Sequence, residues 1–411
     1  MNKKYFLTII LILTLSFVFG ETAFNSFAGA SLDLGPRKEK KGIALNVNGA
    51  FAGQYTLDNS FTLRGHFLVK TQDVFENGIF QDTTATFTIK ELSATYRFLT
   101  ENINQQASVF IGEFESFGSD SFVKKYFGTK NLTSPVLLPE LGLDTNGMFP
   151  FDGAGLAYSI KLASPKAFGL YFYYNKTKTE ETQEDGKISE IDTKRINGDF
   201  RFSSAWDFLV LDTDFGVSLP METTIKHGTE STEDDEEVIL LIRYAELRGG
   251  VSMLLGNNPI TNLFLQFGLQ NITLDPAEKN HILSLDNIYL FMEPRFTTEY
   301  VKCNVAFFCL PQKTLKNLKY IKNPVGCSLT FASQPIMLFG NNADFGCHFT
   351  VSSAAALDNM EIKSFDMQIS PYLNLYVFGG TFEVSSNIYP QNFKKNKEFF
   401  TISLGYRAYL W

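Results

Sequence analysis

The side chains best suited to chemistry in this sequence are basic residues at alternate positions of strand-like segments. Alternate residues of a β-strand share one face, so these positions bring their charges to one side of a sheet. Fixed charge along a passage favours ions of the opposite sign. On each strand we call the polar face the predicted inner face. The bases on or close to these faces are Arg64, His66, Lys70, Arg97, Lys161, Arg195, Arg201, Arg295 and Arg407.

Fewer acidic residues accompany them, at Asp199, Asp212, Asp214 and Glu383. If these segments line a pore, the basic surplus predicts a weak preference for anions. The alternative is that the charges pair across the wall and hold its interior together, because opposite charges attract between neighbouring strands. The sequence leaves both interpretations open.

Catalytic chemistry finds little support. The chain has four histidines, His66, His227, His281 and His348. A hydrolase needs a base beside a nucleophile or water and a group that orients the base, and nothing in the spacing places such partners around any of the four. The sequence also lacks GxSxG, HExxH and a phosphate-binding glycine loop. We therefore predict that the protein is not an enzyme and has no cofactor.

Two acidic runs, Glu180–Asp192 and Glu230–Glu237, offer oxygen ligands for a divalent cation. Neither has the ligand spacing of an ordered site, so we interpret both as solvated surface loops without a metal. The formal net charge of −8 argues against a nucleic-acid partner, because phosphate backbones attract basic proteins.

The segments that must position these side chains are strands with an apolar and a polar face. Phe61–Lys70 alternates most clearly, with Phe61, Phe67 and Val69 on one face and Arg64 on the other. Leu263–Gln270 and Phe400–Tyr406 repeat the pattern. One face suits lipid and the other suits water.

The connections between these segments alternate between short and long. Short links are predicted at Leu57–Ser60, Ser164–Ala167, Ser203–Asp207, Asn257–Asn262 and Gly340–Asn342, and long ones at Phe117–Gly153, Lys176–Asp192, Pro220–Glu236 and Asp275–Asp286. Such alternation is typical of an up-and-down transmembrane β-barrel with short periplasmic turns. With Thr22–Leu34 as first strand, we predict an all-β antiparallel barrel of about 16–18 strands. A soluble secreted all-β protein is the alternative, since its strands alternate in the same way.

The longest connection, residues 117–153, carries a predicted short helix at Phe122–Phe127 followed by prolines and leucines. Long loops in compact domains are usually functional. We predict an external or inward-folded loop that narrows the barrel, with the candidate constriction residues Pro135, Leu138, Pro139 and Leu141. The alternative is that this loop caps the mouth or packs against a neighbouring copy.

The N-terminal residues have the pattern of a secretory signal. Lys3 and Lys4 precede the apolar run Tyr5–Phe19, so residues 1–20 are predicted to be a signal peptide and residues 21–411 the barrel. We interpret Cys303, Cys309, Cys327 and Cys347 as small apolar packing residues, with a disulfide between neighbouring strands left open.

With its signal, alternating strands, long connections and aromatic end, the chain resembles bacterial outer-membrane porins as a class. The resemblance implies that Tyr409 and Trp411 form the signal read by the barrel-assembly machinery. It also implies outer-membrane lipid, small solutes and further copies of the chain as partners. The class usually ends in Phe, and Trp411 shares parity with Arg407 instead of with the lipid-facing residues. A bulge near Arg407 would reconcile the two.

These observations favour an outer-membrane channel for passive diffusion of small hydrophilic solutes. The nearest alternative is a barrel like the fatty-acid transporters, which pass hydrophobic substrates. A surface or adhesin protein without transport comes next.

Overall fold

The chain forms one closed β-sheet. The structure is a computed structural model that describes residues 22–36, 42–58, 60–77, 85–100, 103–119, 121–129, 134–138, 147–182, 188–226, 235–240, 242–256, 260–273, 285–315, 318–356, 361–393 and 399–409. The predicted signal peptide, Pro139, Leu141, His227, His281 and Trp411 lie outside these ranges.

Twenty strands account for most of the described chain. They are β1 (Thr22–Pro36), β2 (Ile43–Leu57), β3 (Phe61–Thr71), β4 (Ala85–Thr100), β5 (Ile103–Phe117), β6 (Phe149–Lys161), β7 (Lys166–Thr182), β8 (Ile188–Ala205), β9 (Leu209–Lys226), β10 (Asp235–Leu240), β11 (Glu246–Leu255), β12 (Thr261–Thr273), β13 (Ile288–Thr297), β14 (Val301–Cys309), β15 (Val325–Ser333), β16 (Ile336–Leu338), β17 (Asn341–Ala356), β18 (Glu361–Val377), β19 (Gly380–Ile388) and β20 (Phe400–Tyr409).

Helices are short and few in the described chain. They are α1 (Val74–Asn77), α2 (Ser121–Phe127) and α3 (Gln312–Leu315), with single 3-10 turns at Pro135–Leu137, Ile242–Tyr244, Leu285–Asn287 and Pro390–Asn392. No helix of the described ranges is long and apolar enough to cross a bilayer.

Antiparallel pairing between chain neighbours closes the sheet into a barrel. In the described residues, two short strands pair at one edge only: β10 pairs with β9, and β16 pairs with β17. They are not part of the ring, because β9 also pairs directly with β11 and β17 also pairs directly with β15. The other eighteen strands form the ring. β20 closes it against β1, with Phe27 opposite Tyr409. The predicted up-and-down barrel is confirmed.

The two faces of the wall are inverted relative to a water-soluble protein. Ile111, Leu156 and Phe172, on β5, β6 and β7, are 60%, 58% and 59% exposed on the outer face. Buried polar residues such as Ser159 and Asn197 occupy the inner face of the same region. An apolar, exposed outer face is the arrangement of a membrane barrel, and it argues against the soluble alternative.

The connections alternate as predicted, but two of the predicted loops are largely strand. Lys176–Asp192 was expected to be a loop, yet β7 and β8 continue as a hairpin up to Thr182 opposite Ile188. β9 likewise runs through Pro220 to Lys226 and pairs there with β10. The polar composition of both segments indicated loops. A hairpin that continues beyond the bilayer needs no apolar face, so polar composition does not show where its strands end.

The C-terminal strand needs no bulge. Its register runs without a shift from Phe400 to Tyr409 against β19 and β1, so the expected irregularity near Arg407 is absent from this strand. Arg407 keeps the inward parity of Ser403 and Gly405, as its position in the sequence indicated.

All four cysteines are free thiols. Cys327 and Cys347 do lie on neighbouring strands, β15 and β17, but Cys327 faces Val351 and Cys347 faces Phe331. The two cysteines are thus offset by four residues, or about 13 Å along the strands, which is too far for a disulfide.

Candidate channel interior

A long segment between β5 and β6 packs against the inner wall of the barrel. We call its described residues, 118–119, 121–129, 134–138 and 147–148, the first inward segment. Its helix α2 presents Phe122, which is fully buried, to the guanidinium carbon of Arg201 at 4.4 Å from the ring centroid. Tyr126 shares a 2.5 Å hydrogen bond with Ser159 of β6, and burial raises the pKa of its phenol. Helix α2 is therefore fixed by aromatic and polar contacts together.

The 3-10 turn that follows is fixed to another part of the wall, on β13. Ser134 accepts a hydrogen bond from the backbone N–H of Val136 at 3.1 Å and donates its hydroxyl proton to Glu293 of β13. Val136 and Leu137 are buried. The described parts of the segment thus contact β6 and β8 through helix α2 and β13 through the 3-10 turn.

Small residues in the wall make room for the segment and its flanking strands. A β-carbon on Gly268 would lie 2.8 Å from the ring of Phe149, and one on Gly250 would lie 2.7 Å from the ring of Phe117. Both distances are shorter than ordinary van der Waals contact. The aromatic core of this half of the barrel therefore depends on glycine in the facing strands.

Arg201 is the central charge beneath the first inward segment. It is fully buried and binds both carboxylate oxygens of Asp212, while its Nη1 donates to the backbone oxygen of Glu115 at 2.9 Å. The ring of Phe117 lies on it as well, 5.5 Å from the guanidinium carbon. A planar guanidinium held by a carboxylate fork and aromatic faces is rigid, so this charge serves packing and faces no solvent.

Two other predicted pore-lining bases, Arg195 and Arg64, also pair with carboxylates. Arg195 binds Glu246 at 2.6 Å and Arg64 lies 3.8 Å from Glu91. Lys161 places its ammonium 5.9 Å from the ring centroid of Phe127. His66 lies opposite Ala52 and Glu91 in the register of β2, β3 and β4. Arg97 contributes charge near Tyr126.

A second segment, residues 310–324 between β14 and β15, also turns inward; we call it the second inward segment. Leu310, Leu318 and Ile321 are fully buried. The backbone N–H of Lys319 donates to the oxygen of Leu138 at 3.2 Å, so the two inward segments meet. The sequence interpretation did not identify this segment as inward-facing, although the leucines spaced among its lysines could have indicated a buried face.

Beside the packed half lies a cavity of about 840 Å³. Its walls come from β1–β3 and β17–β20 on one side and from the second inward segment and Leu138 on the other. Of the predicted bases, Lys70 and Arg407 line it. Polar groups dominate the lining, including Asn46, Asn48, Gln368, Asn387 and Thr401.

Glu383 of β19 joins the wall of this cavity to the second inward segment. Its Oε1 pairs with Nζ of Lys319, and its Oε2 accepts a hydrogen bond from Nη2 of Arg407 at 3.0 Å. Next to this group, the ring of Tyr320 lies 4.0 Å from that of His348, centroid to centroid. The second inward segment is thereby attached to the strand side of the cavity, at β17 and β19.

No group of three His, Cys, Asp or Glu in the described ranges is arranged to hold a metal ion. Of the predicted constriction residues, Pro135 begins the 3-10 turn and Leu138 lines the cavity. Of the predicted assembly signal, Tyr409 lies opposite Phe27 in the closing strand pair.

Comparisons with models of protein families and with curated proteins give no match. Among solved structures, a mutant of Rh. blastica porin is 8% identical, with 95% of this chain and 100% of that chain covered and a TM-score of 0.37. OmpF of Salmonella typhi in complex with daunomycin is 11% identical, with 95% and 98% covered and a TM-score of 0.40. The strand pairing of the described residues shows a closed antiparallel barrel of eighteen strands.

Proposed function

We propose that the protein is an outer-membrane channel through which small hydrophilic solutes diffuse passively. The observation that carries this proposal is the polar cavity of about 840 Å³ beside a half that the inward segments fill. A barrel of this strand number is wide enough to hold an aqueous lumen. In this protein, the cavity is the part of that lumen left to solutes.

The polar lining favours this function over transport of hydrophobic substrates. Amide and hydroxyl groups from β2, β18 and β20 face the cavity, whereas the aromatic core is packed against the first inward segment. Apolar ligands bind in cavities lined mostly by apolar side chains. The cavity therefore suits solutes that exchange hydrogen bonds with water.

Both inward segments form the constriction in this proposal. Leu138 lies where they meet and lines the cavity, so it marks the narrow part, with Pro135 holding the turn before it. Pro139 and Leu141 follow directly in the sequence and are proposed to continue the constriction. Lys70 and Arg407 supply basic charge to the lining.

Delivery to the outer membrane follows from the same proposal. Removal of residues 1–20 would release the barrel into the periplasm, and the assembly machinery would read Tyr409 and Trp411. Surrounding lipid would cover the apolar exterior. Further copies of the chain would pack against the same exterior.

The first test is single-channel conductance of the refolded protein in a planar bilayer, together with its heat-modifiable mobility on a gel. Stepwise conductance is the expected result. A heat-modifiable barrel without conductance would contradict the channel and favour a surface protein. Failure to insert would contradict a membrane barrel altogether.

A matched pair of variants tests the position of the constriction. Leu138→Trp adds bulk to the cavity and should lower the unit conductance. Leu156→Trp adds the same bulk to the outer face, where Leu156 is 58% exposed, and should leave conductance unchanged. Equal conductance in both variants would remove Leu138 from the proposed passage.

A further inference from the structure

The charges of the barrel interior neutralise one another. Many of the inward bases are bound to carboxylates, in the pairs Arg64–Glu91, Lys125–Glu115, Arg195–Glu246, Arg201–Asp212, Arg248–Asp199 and Arg295–Glu293. The basic surplus in the sequence thus does not become a row of open positive charge. A passage without such a row has little means of selecting anions.

The lining of the cavity carries nearly balanced charge, with the acids Asp33, Asp366 and Glu383 and the bases Lys70, Lys319, Lys322 and Arg407. Glu383 is shared by Lys319 and Arg407. Asp33 accepts a hydrogen bond from the Asn48 amide at 2.6 Å, and Asp366 accepts one from the Asn323 amide at 2.9 Å. An anion that bound Lys319 or Arg407 would have to displace Glu383, and a cation at either aspartate would compete with an amide.

Seven amide side chains contribute to the lining, as many as there are charged ones. They include Asn46, Asn48, Asn323, Gln368, Asn387 and Gln391. An amide offers donors and an acceptor in one group, which is the pattern that a hydroxyl group on a solute matches. Gln368 and Asn387 already form such a pair with each other, at 3.0 Å.

We infer that the cavity passes uncharged, hydroxyl-rich solutes of about monosaccharide size in preference to organic anions or cations. This inference rests on the proposed channel function and names its substrate class. The volume of about 840 Å³ lies in the range of roughly 300–1,000 Å³ typical of cavities that hold small molecules. Compensated charge disfavours ions, and the amides replace the water hydrogen bonds of a sugar.

The experiment compares three solutes of similar size in liposomes that contain the full protein. Swelling rates are measured in isotonic glucose, sodium gluconate and glucosamine hydrochloride, and the zero-current potential is measured across a KCl gradient. We expect fastest entry of glucose and a potential near zero. Fastest entry of gluconate, or a strongly anion-selective potential, would overturn the inference while leaving the channel intact. Absence of any conductance would instead refute the channel itself.

Variants of the compensating groups sharpen the test. Glu383→Gln leaves Lys319 and Arg407 without their carboxylate, so the zero-current potential should move towards anions and gluconate should enter faster. Glu299→Gln removes the same charge from an exposed turn and should change neither. If Glu383→Gln behaves like this control, compensation of charge does not set the preference.

A third variant tests the amides. Asn46→Leu should slow glucose entry by about fivefold, because loss of one neutral hydrogen bond of about 1 kcal/mol corresponds to that factor. The zero-current potential should stay unchanged. Unchanged glucose entry in a variant that keeps its heat-modifiable mobility would show that the amides do not recognise the solute.

Discussion

Arg201 of β8 and Asp212 of β9 form a bidentate ion pair although they do not face each other in the strand register. Nε of Arg201 lies 2.9 Å from Oδ1 and Nη2 lies 2.7 Å from Oδ2, whereas the residue directly opposite Arg201 is Asp214. The diagonal ion pair holds the guanidinium of Arg201 beneath the ring of Phe122. It thus couples the wall to the first inward segment.

Removal of Arg201 is predicted to destabilise the barrel strongly. Arg201→Met leaves the buried carboxylate of Asp212 without its cation, which costs about 3–5 kcal/mol. The free energy of unfolding in urea, measured with the protein in lipid vesicles, checks this value. The double variant Arg201→Met with Asp212→Leu should recover much of the loss. The pair of Arg64 and Glu91 serves as comparison, because Arg64 is 39% exposed and lies 3.8 Å from the carboxylate, so Arg64→Met should cost under about 1 kcal/mol. Equal costs at the two sites would contradict the role of burial.

Phe122 is predicted to hold the first inward segment in place. Its ring is fully buried, so Phe122→Ala should cost about 3–5 kcal/mol of packing and let helix α2 leave the wall. We expect noisier single-channel currents and faster proteolysis between β5 and β6. Lys124→Ala changes an exposed residue of the same helix and should leave both unchanged. Quiet currents in Phe122→Ala would show that the segment is held by other contacts.

A charged residue on the outer face is predicted to destabilise the barrel more strongly the closer it lies to the middle of the bilayer. Phe172→Arg places a guanidinium on the outer wall of β7, where the cost near the bilayer midplane is about 2–4 kcal/mol. Phe208→Arg places the same group in the short turn between β8 and β9, where the cost should be about 0–1 kcal/mol. Unfolding in vesicles measures both. A cost at Phe208 equal to that at Phe172 would contradict the assigned orientation.

The free thiols are predicted to react according to their position in the wall. Cys327 is exposed and shares the outer face with Phe331. In vesicles, a lipid-soluble maleimide should label it readily and a charged, water-soluble one should not. Glu299→Cys, in a turn, should react with both reagents. Rapid labelling of Cys327 by the charged reagent would place this face in water.

Alternation of side chains made the barrel predictable from sequence, and contacts between distant segments made its interior unpredictable. Phe61, Leu63 and Phe67 alternate with Arg64 as a two-faced strand should, and β3 follows this pattern. Helix α2 was expected at nearly its observed position. Both features depend on local sequence.

The cavity depends on pairings that no local pattern contains. Lys319 and Glu383 are 64 residues apart, and Ser134 and Glu293 are 159 apart. The inner-face bases were identified one strand at a time, so pairing with carboxylates stayed one of two open interpretations, and the partner of each base could be identified only from the fold. For the same reason, the second inward segment resembled an ordinary polar connection.

The pairing of Phe27 with Tyr409 also governs how the molecule must fold. These residues lie at opposite ends of the barrel sequence, so the ring cannot shut until every strand between them is in place. Contacts between such distant residues form slowly, because loop closure costs entropy before the contact stabilises the chain. Until that last step, β1 and β20 each have an unpaired edge that invites association with other chains. A partly formed barrel therefore has a seam, and the seam stays open until the two ends meet.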